Sequence, residues 1–84
     1  MYKIEWQPKA FRQLNKVRER KTRVMIFNAV DKLQNWPDCR NVKAVQSTGG
    51  YRLRVGNWRI LFDVKTALEI IEIEEVKKRN ERTY

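Results

Sequence analysis

Between Tyr51 and Val64 the chain alternates apolar and polar side chains on both sides of Gly56-Asn57. A two-residue Gly/Asn turn between alternating runs signals a β-hairpin. A loop closed there sets Val55 opposite Trp58, Arg54 opposite Arg59 and Leu53 opposite Ile60. Opposed residues share a face, and neighbours along a strand alternate. Tyr51, Leu53, Val55, Trp58, Ile60, Phe62 and Val64 then form one apolar face, and Arg52, Arg54 and Arg59 gather on the other. Like charges set directly opposite each other destabilise a sheet. A fold has no need of that arrangement, whereas a phosphate-binding site does.

The rest of the chain supplies what the apolar face needs as cover. Tyr2 to Trp6 alternates like a strand, with Tyr2, Ile4 and Trp6 on one side, and Pro8 suits the first position of a helix. Ala10, Phe11, Leu14 and Val17 follow at helical spacing, and Arg20 to Trp36 carries Ile26, Ala29, Val30, Leu33 and Trp36 on a second stripe. Pro37-Asp38 closes that segment. A polar break around Arg18 to Lys21 makes the pair a helical hairpin. Val42 to Val45 is a candidate short strand and Gln46 to Gly50 a mobile loop. Ala67 to Val76 reads as the last strand of a meander, before a basic tail, Lys77 to Tyr84. A tight turn at Lys65-Thr66 sets Glu69 against Phe62 on the buried face, so a longer turn or a bulge is expected. The predicted fold class is α+β in a single domain, 1–84: an N-terminal strand, a two-helix hairpin, then an antiparallel β-meander, with the helices packed on one face.

Composition narrows the function. The 84 residues are 42% hydrophobic, enough for one small core. Nineteen Lys+Arg against ten Asp+Glu, with no His, give a formal net charge of +9. That balance favours a polyanionic partner, nucleic acid first. Cys39 stands alone, so no intrachain disulfide forms. No secretory signal is read at the start and no apolar run suits a bilayer, so the expectation is a cytoplasmic protein with no membrane partner. No cofactor and no metal are expected: His is absent, and the carboxylates lack a ligand-like spacing.

Guanidinium groups grip phosphate bidentately and stay charged at physiological pH. Arg52, Arg54 and Arg59 on one rigid face can hold a phosphodiester and stabilise added charge in its transition state. The alternative is a solvated face whose arginines pair with acids such as Asp63 or Glu72. Lys9, Arg12, Lys16, Arg20 and Arg23 give the helices a basic exposed side, and Lys43, Lys77 and Arg82 add to the charge; these are candidate RNA contacts. Cleavage of RNA through its 2′-hydroxyl needs a base and an acid, and arginine cannot be the base. Tyr84, a lysine, or Glu72, Glu74 or Glu75 remain for that work. An enzyme relying on charge and positioning is weak on free RNA and effective where the substrate is held for it.

The segment Gly50 to Asp63, with the tail Glu75 to Tyr84, resembles the RelE/ParE superfamily of toxins from bacterial toxin–antitoxin pairs. The resemblance spans almost the whole chain, including helices closed by Trp36-Pro37 and the Val42 to Val45 segment. It implies the α+β fold and two possible activities. RelE-like members cleave messenger RNA in the ribosomal A site, whereas ParE-like members poison DNA gyrase and lack the basic constellation. Arg52 and Arg54 fall where RelE-like toxins carry paired lysines, and Arg59 falls where they carry an arginine. Lys78 or Arg79 matches a late basic residue and Tyr84 a late tyrosine. The resemblance thus implies a ribosome-dependent endoribonuclease of a type II system, with catalytic Arg52, Arg54, Arg59, Lys78, Arg79 and Tyr84. Its partners would be the 70S ribosome, mRNA and a cognate antitoxin. The competing readings are a gyrase inhibitor and a basic nucleic-acid-binding module without activity.

Overall fold

The alternation between Tyr51 and Val64 becomes two antiparallel strands, β3 (Gly50–Val55) and β4 (Trp58–Lys65). This is a computed structural model, and it describes residues 1–78. The register is the one the turn demands: Leu53 opposite Ile60, Arg54 opposite Arg59, Val55 opposite Trp58. Gly56 takes φ 57°, the positive value that a type II′ turn requires at its first central residue.

The last strand solves its register problem with both expected devices. Thr66–Leu68 forms a short 3-10 turn and Glu69 adopts left-handed φ 54°, so β5 (Ile70–Lys78) starts later than the apolar run suggests. Ala67 and Leu68 belong to the turn, where Leu68 is 69% exposed. Lys77 and Lys78 are strand residues and not tail, because β5 stays paired with β4 as far as Trp58. Phe62 pairs with Ile73 but Leu61 with Glu75, which leaves Glu74 as the extra residue of a bulge. That one residue lets Ile71, Ile73 and Val76 all face inward despite the three-residue step before Val76.

The Val42–Val45 strand, β2, pairs with β3, and β1 (Lys3–Trp6) pairs with β5. The sheet order is β1-β5-β4-β3-β2. β1 runs parallel to β5, so the sheet as a whole is mixed while the β2 to β5 meander is antiparallel. A parallel neighbour needs a long crossover, which the two helices begin.

The helices α1 (Pro8–Asn15) and α2 (Arg20–Asp31) cover one face. α2 ends short of the predicted Trp36; a 3-10 turn, Lys32–Asn35, follows it. Ala10, Leu14, Val17, Ile26, Val30 and Leu33 meet Leu53, Val55, Ile60, Phe62, Ile71, Ile73 and Val76 in one core. Phe11 departs from its predicted stripe and is half exposed, since the position facing the sheet belongs to its small neighbour Ala10. Its ring instead meets Trp6 edge-on, and Trp6 stacks on Phe27 with centroids 6.1 Å apart. β1 ends at Trp6 while β5 runs on, and the Gln13 side chain accepts the Val76 N–H at 2.7 Å. That bond satisfies a donor that a neighbouring strand would otherwise take.

Ile60→Val should cost about 0.5–1.5 kcal/mol, the scale for one methylene removed from a packed core. Leu68→Ala should change stability by less than about 0.5 kcal/mol. Urea denaturation of both variants checks this layout.

Candidate nucleic-acid interface

With the helices on one face, the other face of the sheet carries the polar half of each strand's alternation. Arg54, Arg59 and Lys77 form one row across β3, β4 and β5. Lys43, Arg52, Leu61 and Glu75 form the next, starting from β2. The Arg54 N–H donates to the Asn41 carbonyl at 2.9 Å, on the side away from β4. The Arg54–Arg59 pair is therefore not a hydrogen-bonded pair of the hairpin, and such pairs hold their side chains closer, with Cα atoms about 4.5 Å apart.

Among the described residues, none of these three guanidiniums has a carboxylate within ion-pair reach; the ion pairs all involve lysines. Lys9 Nζ and Lys77 Nζ lie 2.9 Å and 3.2 Å from Glu75, one at each carboxylate oxygen. The Lys9 hydrogen bond, with Lys77 beside it, holds the Glu75 carboxyl below the usual glutamate range. Glu75 is thus ionised at neutral pH and a poor base. The alternative of arginines neutralised by Asp63 or Glu72 does not hold, since Asp63 contacts Lys65 instead at 3.2 Å.

Asp63, Glu72 and Glu74 cluster at the far end of the face, with carboxylate oxygens within 4.8 Å of one another. The sequence reading missed this grouping because it depends on the bulge at Glu74. Partial burial, then the charges of Asp63 and Glu72, push the Glu74 carboxyl up. Glu74 lies three residues from Lys77 on β5, about 10 Å at the ordinary strand rise. The face is therefore bipolar: cationic beside the hairpin turn, anionic beyond Leu61.

The other predicted site residues divide. Lys43 and Lys77 join the arginine face. Lys78 pairs with Trp58, so strand alternation directs it to the opposite side from Arg59. Arg79, Arg82 and Tyr84 lie outside the described residues. Arg12, Lys16 and Arg20 are exposed on the helical hairpin. Arg23 is committed elsewhere: its guanidinium donates to the carbonyls of Val17 and Arg18 at the end of the α1–α2 connection. The Cys39 thiol is pushed up by burial and by Asp38, so it stays protonated and is no nucleophile.

Two hollows adjoin the cationic end. Asn41, Val42, Lys43, Arg52 and Arg54 line a shallow groove of about 290 Å³. A second pocket of about 480 Å³ opens between the end of α2, residues 38–41 and the end of β3. Asn41, in left-handed φ 61°, borders both and was not singled out from sequence. Its only signal there was an asparagine just before a strand, a residue type that tolerates this conformation.

Fold and face together define a class: a helical hairpin on a mixed five-stranded sheet whose uncovered side is cationic at one end. Solved structures share that architecture. The chain superposes on a chain of the RelBE2 toxin–antitoxin complex from Mycobacterium tuberculosis with a TM-score of 0.81 at 21% identity, covering 93% of this chain and 98% of that one. A chain of the archaeal RelE–RelB complex from Pyrococcus horikoshii OT3 gives 0.81 at 22% identity, covering 96% and 98%. The isolated Escherichia coli RelE toxin gives 0.80 at 15% identity, covering 99% and 88%. No protein-family model and no curated protein sequence matches the chain. The chain has the RelE-like fold.

Glu74→Gln should raise Tm at pH 7 by a few degrees at most, since exposed charge contacts are worth less than about 1 kcal/mol. A carboxyl raised on folding destabilises above its folded pKa, and the penalty disappears below its unfolded value of about 4.3. The gain should therefore be full at neutral pH and vanish near pH 4 in thermal melts.

Proposed function

We propose that this protein is a toxin of a type II toxin–antitoxin pair, and that it acts as an endoribonuclease on mRNA held in the ribosomal A site. One observation carries the reading: Arg52, Arg54 and Arg59 share an open sheet face and have no acidic partner among the described residues. The RelE-like fold supports it.

The chemistry is in-line attack of a 2′-hydroxyl on the adjacent phosphate. The 2′-oxygen loses its proton and bonds to phosphorus, and the 5′-oxygen leaves and gains a proton. The products are a 2′,3′-cyclic phosphate and a 5′-hydroxyl. Arg52, Arg54 and Arg59 bind the non-bridging oxygens and stabilise the extra charge of the transition state. Lys77 lies beside Arg59, with its charge shared with Glu75. Of the two candidates for assisting the leaving group, Lys78 and Arg79, Lys78 is turned to the side of the sheet away from Arg59, so in this reading Arg79 takes that role and Tyr84 orients or deprotonates the 2′-hydroxyl. Arginine cannot deprotonate it, and Glu75 is too weakly basic while Lys9 and Lys77 hold it. Such a catalyst depends on a substrate already ordered, which a ribosome provides. Lys9, Arg12, Lys16, Arg20, Arg23, Lys43, Lys77 and Arg82 are the proposed contacts to RNA and ribosome. Lys9, Arg23 and Lys77 are the weaker of these, because each already has a partner in the fold.

A cognate antitoxin is the proposed protein partner. The neighbours include a RelBE2 toxin–antitoxin complex from M. tuberculosis and a RelE–RelB complex from P. horikoshii, which supports it. The cationic sheet face suits an acidic segment, and half-exposed Phe11, Val24 and Phe27 suit an amphipathic one.

Primer extension on a defined message, with and without purified translating ribosomes, tests the reading. Cuts confined to the A-site codon and dependent on ribosomes are expected. Arg59→Glu should abolish them while leaving the circular dichroism spectrum and Tm close to wild type. Intact RNA in every reaction, together with inhibition of gyrase supercoiling, would replace this reading with the gyrase one.

A further inference from the structure

Cleavage chemistry accounts for the arginine face but not for the larger pocket at the corner of the sheet. That pocket shares Arg54 and Asn41 with the groove on the arginine face, so the two hollows meet at one wall. Its volume of about 480 Å³ falls in the range of roughly 300–1,000 Å³ typical of small-ligand sites.

The lining differs in kind from the face beside it. Ala29 and Cys39, both partly exposed, contribute apolar surface beside the edges of the buried Leu33, Leu53 and Val55, while Asn35, Asp38 and Asn41 contribute both donors and acceptors. A phosphate group has no use for apolar walls or for a carboxylate acceptor. A nucleobase needs that combination: an apolar surface for its ring face and mixed polar groups for its edge. Carboxylate and amide acceptors suit exocyclic amines, and amide donors suit ring nitrogens and carbonyls. Lys32, Arg40 and Arg54 also line the pocket and keep its balance cationic around the single carboxylate.

We propose that the corner pocket is a nucleobase site, which takes the base of a nucleotide flanking the phosphate held on the arginine face. This rests on the reading of that face as an RNA site and adds selection by base to it. Arg54, common to both hollows, contacts the backbone between the held phosphate and the seated base.

Binding of uncleavable 2′-O-methyl trinucleotides tests the proposal in the whole chain. The probes are the four homotrinucleotides and an abasic trinucleotide of the same backbone, measured by fluorescence anisotropy. The variant is Asn35→Ala/Asp38→Ala, whose two side chains make no hydrogen bond or ion pair with other described residues. At least one homotrinucleotide should bind wild type about tenfold more tightly than the abasic probe, the scale of one seated base. The double variant should bind that trinucleotide no better than the abasic one, while its affinity for the abasic probe is kept or improved by loss of an acid. Equal binding of intact and abasic probes by wild type would overturn the pocket and leave the arginine face standing. A base-dependent gain that survives in the variant would overturn it too, since the base then sits elsewhere. No binding of any probe would overturn the face and the pocket together.

Discussion

The constraint on which the rest depends is the period of two along the hairpin, locked in phase by Gly56-Asn57. Val55 opposite Trp58 is the first pair, and every later pair follows from it. The register that buries Leu53, Ile60 and Phe62 under the helices is the same one that turns Arg52, Arg54 and Arg59 outward. Slippage by one residue would bury three guanidiniums and expose the core, which is far too costly to be populated. Hydrophobic burial on one face thus holds like charges together on the other, against their repulsion. Gly50 serves the same pairing at the far end of β3. A Cβ there would lie 2.9 Å from the Phe62 carbonyl oxygen, so the strands can approach only without one.

The bulge at Glu74 does for the charge pattern what the turn does for the core. It restores the inward phase of Val76 after Ile73, and it sends Glu74 toward Asp63 and Glu72. Downstream of it, Lys77 comes into line with Arg59, and Lys78 is carried to the other side. One inserted residue therefore decides which lysine of the adjacent pair can reach a phosphate on the arginine face. The carboxylates it gathers stay at a distance from the guanidiniums, with Lys65 as counterion to Asp63.

Much of this was legible in the sequence, and the exceptions have physical reasons. Alternation and a glycine turn are local signals, so the hairpin, its register and its arginine face could be read directly from Tyr51 to Val64. The element order and the helical cover were legible for the same reason. The direction of β1 beside β5 was not, because pairing between the two ends of a chain leaves no local trace. Leu68 looked like a strand residue on composition, but the length of β4 requires a turn there. Phe11 looked like core, but the small Ala10 takes the packed position. Arg23 and Lys9 looked like free surface cations; tertiary contacts to Val17, Arg18 and Glu75 commit them. The corner pocket joins residues from α2, the following turn, residues 38–41 and β3, a grouping no single stretch of sequence displays.

Charge segregation along the open face has a consequence for how any polyanion meets it. A strand of phosphates is drawn to the hairpin end by Arg54, Arg59 and Arg52 and turned away from the other end by Asp63, Glu72 and Glu74. Its path across the sheet is thereby directed toward β2, where Lys43 extends the cationic row and the groove leads to the corner pocket. The repulsion stored between Arg54 and Arg59 works in the same sense. It weakens the free fold slightly and is relieved when an anion sits between the guanidiniums. Because such a ligand binds the folded chain and finds no comparable site in the unfolded one, occupancy must stabilise the domain. Burial on the helical side therefore keeps the arginine side in a state that an anion completes.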